Sequence, residues 1–328
     1  MNQQQLACFA KVCSEELNVS RAAAALFTSQ PAVSRHLQNL EEALGTPLFE
    51  RRGRKLIGLT NAGKRTLHHA QVVVAQFEAL ERIAREERNP RGGTLSISTT
   101  HTQSNYLLPD VISEIRHDYP ELRFNLHQSM PIQVAEMVAS GVANIGIATE
   151  SVSKHPDLIA LPAYSWNRLL LIPKGHPLES IDEITLEDLA SYPMVTYVTS
   201  MTGRKLMDSA FEKAGLVPDI VIAANDSDTI KAYVNNGIGI GVIAEMAFSD
   251  EDAKRFSMRP LKHLFDNNIT RVAIRRAYVP SRVELDFLTR LSPYWSEEEI
   301  VNIVEMPKEK LKARIKKIEK SMLKGNDG

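Results

Sequence analysis

The stretch NVSRAAAALFTSQPAVSRHLQNLEEALG, residues 18–45, reads as two short helices joined by a tight turn at Phe27-Thr28. Ser20 is placed to cap the first helix, and Thr28 or Ser29 the second. Pro31 falls in the first turn of the second helix, where its missing N–H costs nothing. Val33, Leu37, Leu40 and Leu44 recur at helical spacing and make its buried stripe. The other face carries Ser34, Arg35 and Gln38, with Ser29 and Gln30 near the helix start. These side chains can reach phosphates and major-groove base edges, arginine pairing with guanine and glutamine with adenine. Successive alanines on the first helix let the pair approach closely. Taken alone, the pattern fits a helical hairpin with a solvated face equally well.

The following residues separate the two readings. Leu48-Phe49-Glu50-Arg51-Arg52-Gly53-Arg54-Lys55-Leu56 has glycine at a hairpin turn with Arg51, Arg52, Arg54 and Lys55 around it. Such a hairpin suits a wing on the phosphate backbone or in the minor groove. The 328-residue chain carries a formal net charge of −1, so it cannot coat nucleic acid over its whole surface. Residues 1–65 nevertheless hold nine Lys or Arg against five Asp or Glu, a local +4. The basic patch coincides with the helix pair and hairpin, and residues 1–60 are read as a winged helix-turn-helix that binds double-stranded DNA.

Residues 61–90 form a linker, in which AGKRTLHHAQVVVAQFEALERIAREER (62–88) is one long polar helix. Val73, Phe77, Leu80 and Ala84 lie on one face, a narrow apolar stripe that a second subunit would cover. The cluster Asn89-Pro90-Arg91-Gly92-Gly93 ends it. From Thr94 onward, short strands such as TLSIS, FNLHQ, NIGIA, RLLLIP, MVTY, DIVIA and GIGVIA alternate with helices. Residues 91–300 are expected to fold as two α/β lobes, lobe I over about 94–163 and 268–295 and lobe II over about 164–267. The strand RVAIRR (271–276) returns to lobe I, since a two-lobed sensor hinges on crossing strands. The tail, 301–328, has Leu311, Ile315, Ile318 and Met322 at helical spacing among many lysines. It is either a docking helix or a solvated appendage, and the charge favours the second.

Several function classes are set aside. Cys8 and Cys13 share the first helix and suit reduced core thiols, not a disulfide framework or zinc site. The amino terminus lacks a signal or anchor pattern, which points to a cytoplasmic protein with no membrane partner. No HExxH, GxSxG, Walker or CxxC motif occurs, and the nine histidines have no metal-ligand spacing. Neither a catalytic constellation nor a metal or cofactor is therefore expected. Gly237-Ile238-Gly239-Ile240-Gly241 follows a helix and opens a strand, the reverse of a dinucleotide loop.

Thr99-Thr100-His101-Thr102-Gln103 sits where a strand ends and a helix begins. Hydroxyls beside unpaired backbone N–H groups at a helix start can hold a carboxylate or sulfate without lysine or arginine. The same cluster could equally serve as helix caps. Thr149 closes the IGIA strand and Thr202 opens another helix, so both can face one crevice.

The segment AAAALFTSQPAVSRHLQNLEEALGTPLFERRGRKLIGLTNAGK resembles the amino-terminal signature of LysR-type transcriptional regulators. Farther on, TTHTQSNYLLPDVI, IGIATE, YSWNR, YPMVTY and DSDTIKAYVNNGIGIGVIAEMA look like the CysB-type subgroup, activators of sulfur assimilation and cysteine biosynthesis. The resemblance covers residues 1 to roughly 295. It implies an α + α/β fold: a winged helix-turn-helix, a linker helix and a two-lobed effector domain like a periplasmic binding protein. It further implies a homotetramer, a dimer of dimers, that binds promoter DNA, works with RNA polymerase and senses N-acetylserine or O-acetylserine, sulfate also fitting the cleft. By the same resemblance Thr100, Thr102, Gln103, Thr149 and Thr202 contact the effector, with Tyr164 and Trp166 walling its apolar side. For Trp166 a plain core role is as good a reading. Two other classes compete: an exported solute-binding protein, which has no use for a basic head, and an α/β enzyme, which needs a nucleophile or acid–base pair. Within the regulator class, the effector could also be an unrelated metabolite.

Overall fold

A computed structural model describes residues 1–53, 55–88, 92–149, 151–276 and 278–324, with only the backbone at Glu78, Arg85, Glu86, Thr202, Val304 and Lys324. The chain divides into two compact units, an amino-terminal one that includes a long helix and a larger one that begins near Gly92.

In the amino-terminal unit α1 (Gln3–Ser14), α2 (Val19–Ala25) and α3 (Gln30–Leu44) precede strands β1 (Phe49–Arg52) and β2 (Lys55–Leu59) and the 28-residue helix α4 (Asn61–Arg88). Asn18, not Ser20, caps α2, because its Oδ1 accepts from the N–H groups of both Ser20 and Arg21 at 3.1 and 3.0 Å. Ser29 caps α3, and Gly45 ends it in the left-handed region at φ 66. Val33, Leu37 and Leu40 are buried as the spacing predicts, whereas Leu44, in the last turn, is exposed. Ala22 and Ala23 are buried under α3, and Phe9 meets Phe49 edge to face at 5.4 Å. The two strands pair antiparallel with Arg52 opposite Lys55. Gly53 turns between them at φ 62, a conformation strained for any residue with a side chain. On α4, Ala70 joins this core, but Val73, Phe77, Leu80 and Ala84 are exposed on the single chain. Cys8 is buried and Cys13 half-buried; both are free thiols, and burial pushes Cys13 up to about 12.

The larger unit opens with β3 (Gly92–Thr99), α5 (His101–Tyr106), α6 (Leu108–Asp118), β4 (Glu121–Gln128), α7 (Pro131–Ala139), β5 (Ile145–Ala148), α8 (Ser151–Lys154) and β6 (Leu158–Trp166). After Asn167 come β7 (Arg168–Pro173), α9 (Leu186–Ala190), β8 (Met194–Tyr197), α10 (Thr202–Lys213), β9 (Ile220–Ala224), α11 (Ser227–Asn235), β10 (Ile240–Ala244) and β11 (Phe256–Pro260). The chain then runs through β12 (Asn268–Arg275), α12 (Arg282–Leu291), α13 (Glu297–Val301) and α14 (Lys308–Lys324). Two five-stranded sheets result, ordered β4-β3-β5-β12-β6 and β11-β7-β10-β8-β9. The chain crosses between them at Asn167 and again between β11 and β12. Asn167 ties the crossings together, its Nδ2 donating to Phe265 O at 3.0 Å and to Asn267 Oδ1 at 2.6 Å.

Two strands are absent from the sequence reading. β6 contains Pro162, which argues against a strand, but β6 lies at a sheet edge and a bulge opposite Thr270 and Arg271 absorbs the irregularity. It keeps Tyr164 and Trp166 in the first sheet. β11 (FSMRP) is too short and polar to stand out. The solvated reading of the tail is overturned. Leu311, Ile318 and Met322 of α14 are buried, Arg314 pairs with Glu299 at 3.0 Å, and Glu319 pairs with Arg271 of β12. Lysines cover only the outer face of this helix, so net charge misjudged an amphipathic segment.

Candidate functional site

Between the two sheets lies a cavity of about 420 Å³, counting its open mouth. Thr100, Thr102, Gln103, Thr149 and Trp166 line it with Pro131, Tyr197, Met201, Gly203 and Ala244. Two helices start here from opposite lobes. Thr100 precedes α5 and Met201 precedes α10, and neither side chain caps its helix. The capping reading of the threonine cluster therefore does not hold at Thr100. Among the described residues the first-turn N–H groups have no side-chain acceptor, and both helix starts add partial positive charge. Thr202 opens α10 at the same place; its side chain lies outside the described residues.

Tyr164 stands behind the cavity and does not line it. Its hydroxyl donates to Gln103 Oε1, so the Gln103 NH2 group is the end left without a protein partner among the described residues. Burial pushes the Tyr164 phenol above its usual range and keeps it a donor. Trp166 packs against the cavity floor with its indole N–H on Thr270 Oγ1 at 3.0 Å, so it is both core and lining. The backbone oxygen of Thr149 accepts from Arg271 at 2.9 Å, the same arginine that pairs with Glu319 of the tail. Sequence spacing gave no sign of Tyr197, which is buried and accepts from Ala244 N–H at 3.0 Å beside Ser227 Oγ at 2.6 Å. Burial raises its pKa against the lowering effect of those hydrogen bonds and one with Thr102.

At the rim the lobes touch through polar groups. The Tyr106 hydroxyl donates to Asp228, Asn105 Nδ2 lies 3.3 Å from Asp228 Oδ2, and Lys231 donates to the Tyr106 oxygen at 3.1 Å. Lys231 is itself paired with the buried Asp252 at 2.7 Å. His101 comes within 3.8 Å of Asp228, and Asp226 is close by. These carboxylates are already engaged, Asp226 by the Thr229 N–H and hydroxyl and Asp228 by Tyr106, so the cluster reads as an interlobe contact.

In the amino-terminal unit, Ser29, Gln30, Arg35 and Gln38 are exposed along α3 and Ser34 is half-buried. Arg52 and Lys55 are exposed on the hairpin; Arg54 lies outside the described residues. Arg51 is not a free cation. It pairs at 2.9 Å with Glu41, whose other oxygen accepts from Leu48 N–H at 2.7 Å and so pins the hairpin to α3. Phe27, in the turn before α3 at φ 50, is 98% exposed, a feature hydrophobic spacing does not show.

A basic helix-turn-helix with a wing and a separate two-lobed cleft lined by hydroxyls are the parts of a ligand-controlled DNA-binding protein. Residues 3–64 match the family described as bacterial regulatory helix-turn-helix protein, lysR family, and residues 88–294 match the LysR substrate binding domain. The HTH-type transcriptional regulator SsuR of Burkholderia cenocepacia is 38% identical over 304 residues, covering 93% of this chain and 99% of SsuR. CysB of the same organism is 39% identical over 290 residues, covering 87% of this chain and 93% of CysB. The solved cofactor-binding domain of the Cbl transcriptional regulator superposes with a TM-score of 0.63 at 39% identity, covering 66% of this chain and 95% of that domain. These relatives are regulators, not enzymes, and no described helix is long and apolar enough to cross a membrane. With both halves matched and the relatives covered almost end to end, the chain belongs to the LysR family of transcriptional regulators.

Proposed function

We propose that this regulator controls sulfur-assimilation and cysteine-biosynthesis genes in response to a small anion, N-acetylserine or O-acetylserine, with sulfate able to occupy the same cleft. The observation that carries the effector class is the convergence of two uncapped helix starts from opposite lobes on one cavity lined by Thr100, Thr102, Gln103 and Thr149. The sulfur role rests on kinship with SsuR and CysB. Residues 1–60 bind promoter DNA, α4 pairs subunits through its exposed stripe, and residues 91–300 hold the effector. The assembly is a dimer of dimers that presents paired heads to promoter DNA and works with RNA polymerase. An anion that binds one lobe arrangement more tightly than another shifts the assembly toward it; equal affinity would shift nothing.

Calorimetry on the full-length protein with sulfate, thiosulfate and both acetylserines tests the effector class; absence of binding by all four refutes it. Thr102→Val is expected to weaken the bound anion by about tenfold, the worth of one hydroxyl hydrogen bond, with operator affinity unchanged in gel shifts. Equal loss of both would show that the two roles are not separate.

On the DNA side, Arg35→Ala is expected to cost about 1–3 kcal/mol on the preferred sequence and to relax discrimination at one base position. Arg52→Ala is expected to weaken all duplexes alike and to lower the salt slope by about one. Binding titrations at several salt concentrations distinguish these outcomes, and a uniform effect from Arg35→Ala would remove it from base reading.

A further inference from the structure

Hydroxyl and amide donors line the cavity, but a full charge lies behind them. Arg168, the first residue of β7, is 3% exposed, and no carboxylate of the described residues lies within ion-pair distance of its guanidinium. Its partners are neutral. It donates to the carbonyls of Gly203 and Asp266, and the Asn268 amide, turned so that its oxygen faces the arginine, accepts from both terminal nitrogens at 3.2 Å. The remaining neighbours are rings, with Trp166 at 5.9 Å and Phe265 at 5.3 Å from the guanidinium carbon. Burial pulls Arg168 down to about 10, which leaves it charged at neutral pH. A buried cation without a counter-charge is costly and calls for a compensating partner. Two of its contacts, Trp166 and Gly203, are lining residues of the cavity.

We propose that Arg168 is the charge-selecting residue of the cleft: from behind Trp166 and Gly203 it holds the cavity at positive potential, so an occupant must carry net negative charge. The inference rests on the reading of this cavity as an anion site and adds what enforces it. Arg168 does not touch the ligand; it acts across one layer of protein. At an effective dielectric of about 20 and a separation of roughly 8 Å, one unit of ligand charge changes affinity by about tenfold or more. Arg168 also sits at the crossing strands, bonded to the start of α10 and to the segment before β12, so an anion that offsets its charge acts at the hinge itself.

The test measures, by calorimetry on full-length protein, the affinities of N-acetylserine and of its uncharged amide, together with sulfate. Wild type is expected to prefer the acid by about tenfold or more, R168M to lose most of that ratio, and R168K, which keeps the charge, to retain it. Because the ratio is taken within each variant, a general loosening of the cavity cancels. An acid-to-amide ratio in R168M equal to that of wild type overturns the proposal. Should R168M not fold, Asp266→Asn decides: it removes an exposed carboxylate whose charge opposes that of Arg168, and sulfate is expected to bind about twofold tighter. Unchanged sulfate affinity in that variant overturns the proposal too. If wild type binds no anion, the cavity reading itself fails and this inference with it, an outcome distinct from wild-type binding without charge preference.

Discussion

Gly239→Ala is expected to destabilise the larger unit by about 3 kcal/mol, at the upper end of overpacking costs. A Cβ at this position would lie 2.1 Å from the Pro193 carbonyl oxygen and 2.7 Å from its carbon. Backbone cannot yield there as a side-chain tip can, because Ile240 N–H donates to the same carbonyl at 2.9 Å where β10 pairs with β8. Gly237→Ala provides a milder comparison. Its φ of 74 imposes strain, but nothing stands within 4 Å of the added carbon, so about 1 kcal/mol is expected. Both tryptophans of the chain, Trp166 and Trp295, belong to the larger unit, so urea unfolding followed by tryptophan fluorescence reports on it. Equal midpoints for Gly239→Ala and wild type would refute the close-approach argument.

The second large effect is expected from Asp252→Asn. Asp252 and Lys231 are 2% and 7% exposed, and their 2.7 Å contact is extended by Ser249, whose N–H and hydroxyl both donate to Asp252. Removing the Asp252 charge leaves the buried Lys231 with only the exposed Asp228, at 3.9 Å, as a counter-charge, which costs about 3 kcal/mol. Burial by itself would raise the Asp252 pKa, but the hydrogen bonds from Lys231 and Ser249 outweigh it, and the carboxyl is held below its ordinary 3.8. The sign of the pH effect follows. A depressed folded-state pKa gives stability that is present above the unfolded value and is lost as pH falls through the folded one. Wild type should therefore lose this contribution only under acid conditions below about pH 4, whereas Asp252→Asn lacks it at every pH. Urea midpoints measured from pH 7 to pH 3 check this; parallel curves for the two proteins would rule it out. Since Lys231 also donates to Tyr106 of the facing lobe, the variant should bind sulfate with an altered affinity as well.

The helix pair, the hairpin and the local excess of positive charge are all short-range patterns, and they were legible without coordinates. Ser29, Gln30, Arg35 and Gln38 could be placed on one face because helical periodicity alone dictates it. Arg51 could not be sorted from Arg52 in this way, because its partner Glu41 is ten residues away on another element. Among the cleft residues, Thr100, Thr102, Gln103 and Thr149 stand at strand ends, where an α/β crevice forms by rule. Tyr197, Ala244 and Arg168 had no such marker. Their positions depend on how β7, β8 and β10 stack, through contacts that span 35 residues or more of sequence.

Binary pattern, turn chemistry and charge along the chain determined a basic reading head, a long linker helix and alternating strands and helices, because each depends on neighbours within a few turns of chain. The tertiary structure decided that Tyr164 orients Gln103, that the lysine-rich tail buries one face and meets Arg271, and that a cation lies behind the cleft. The reason is physical: hydrogen-bond partners, burial and local potential are set by which distant segments pack together, and composition carries no record of that pairing.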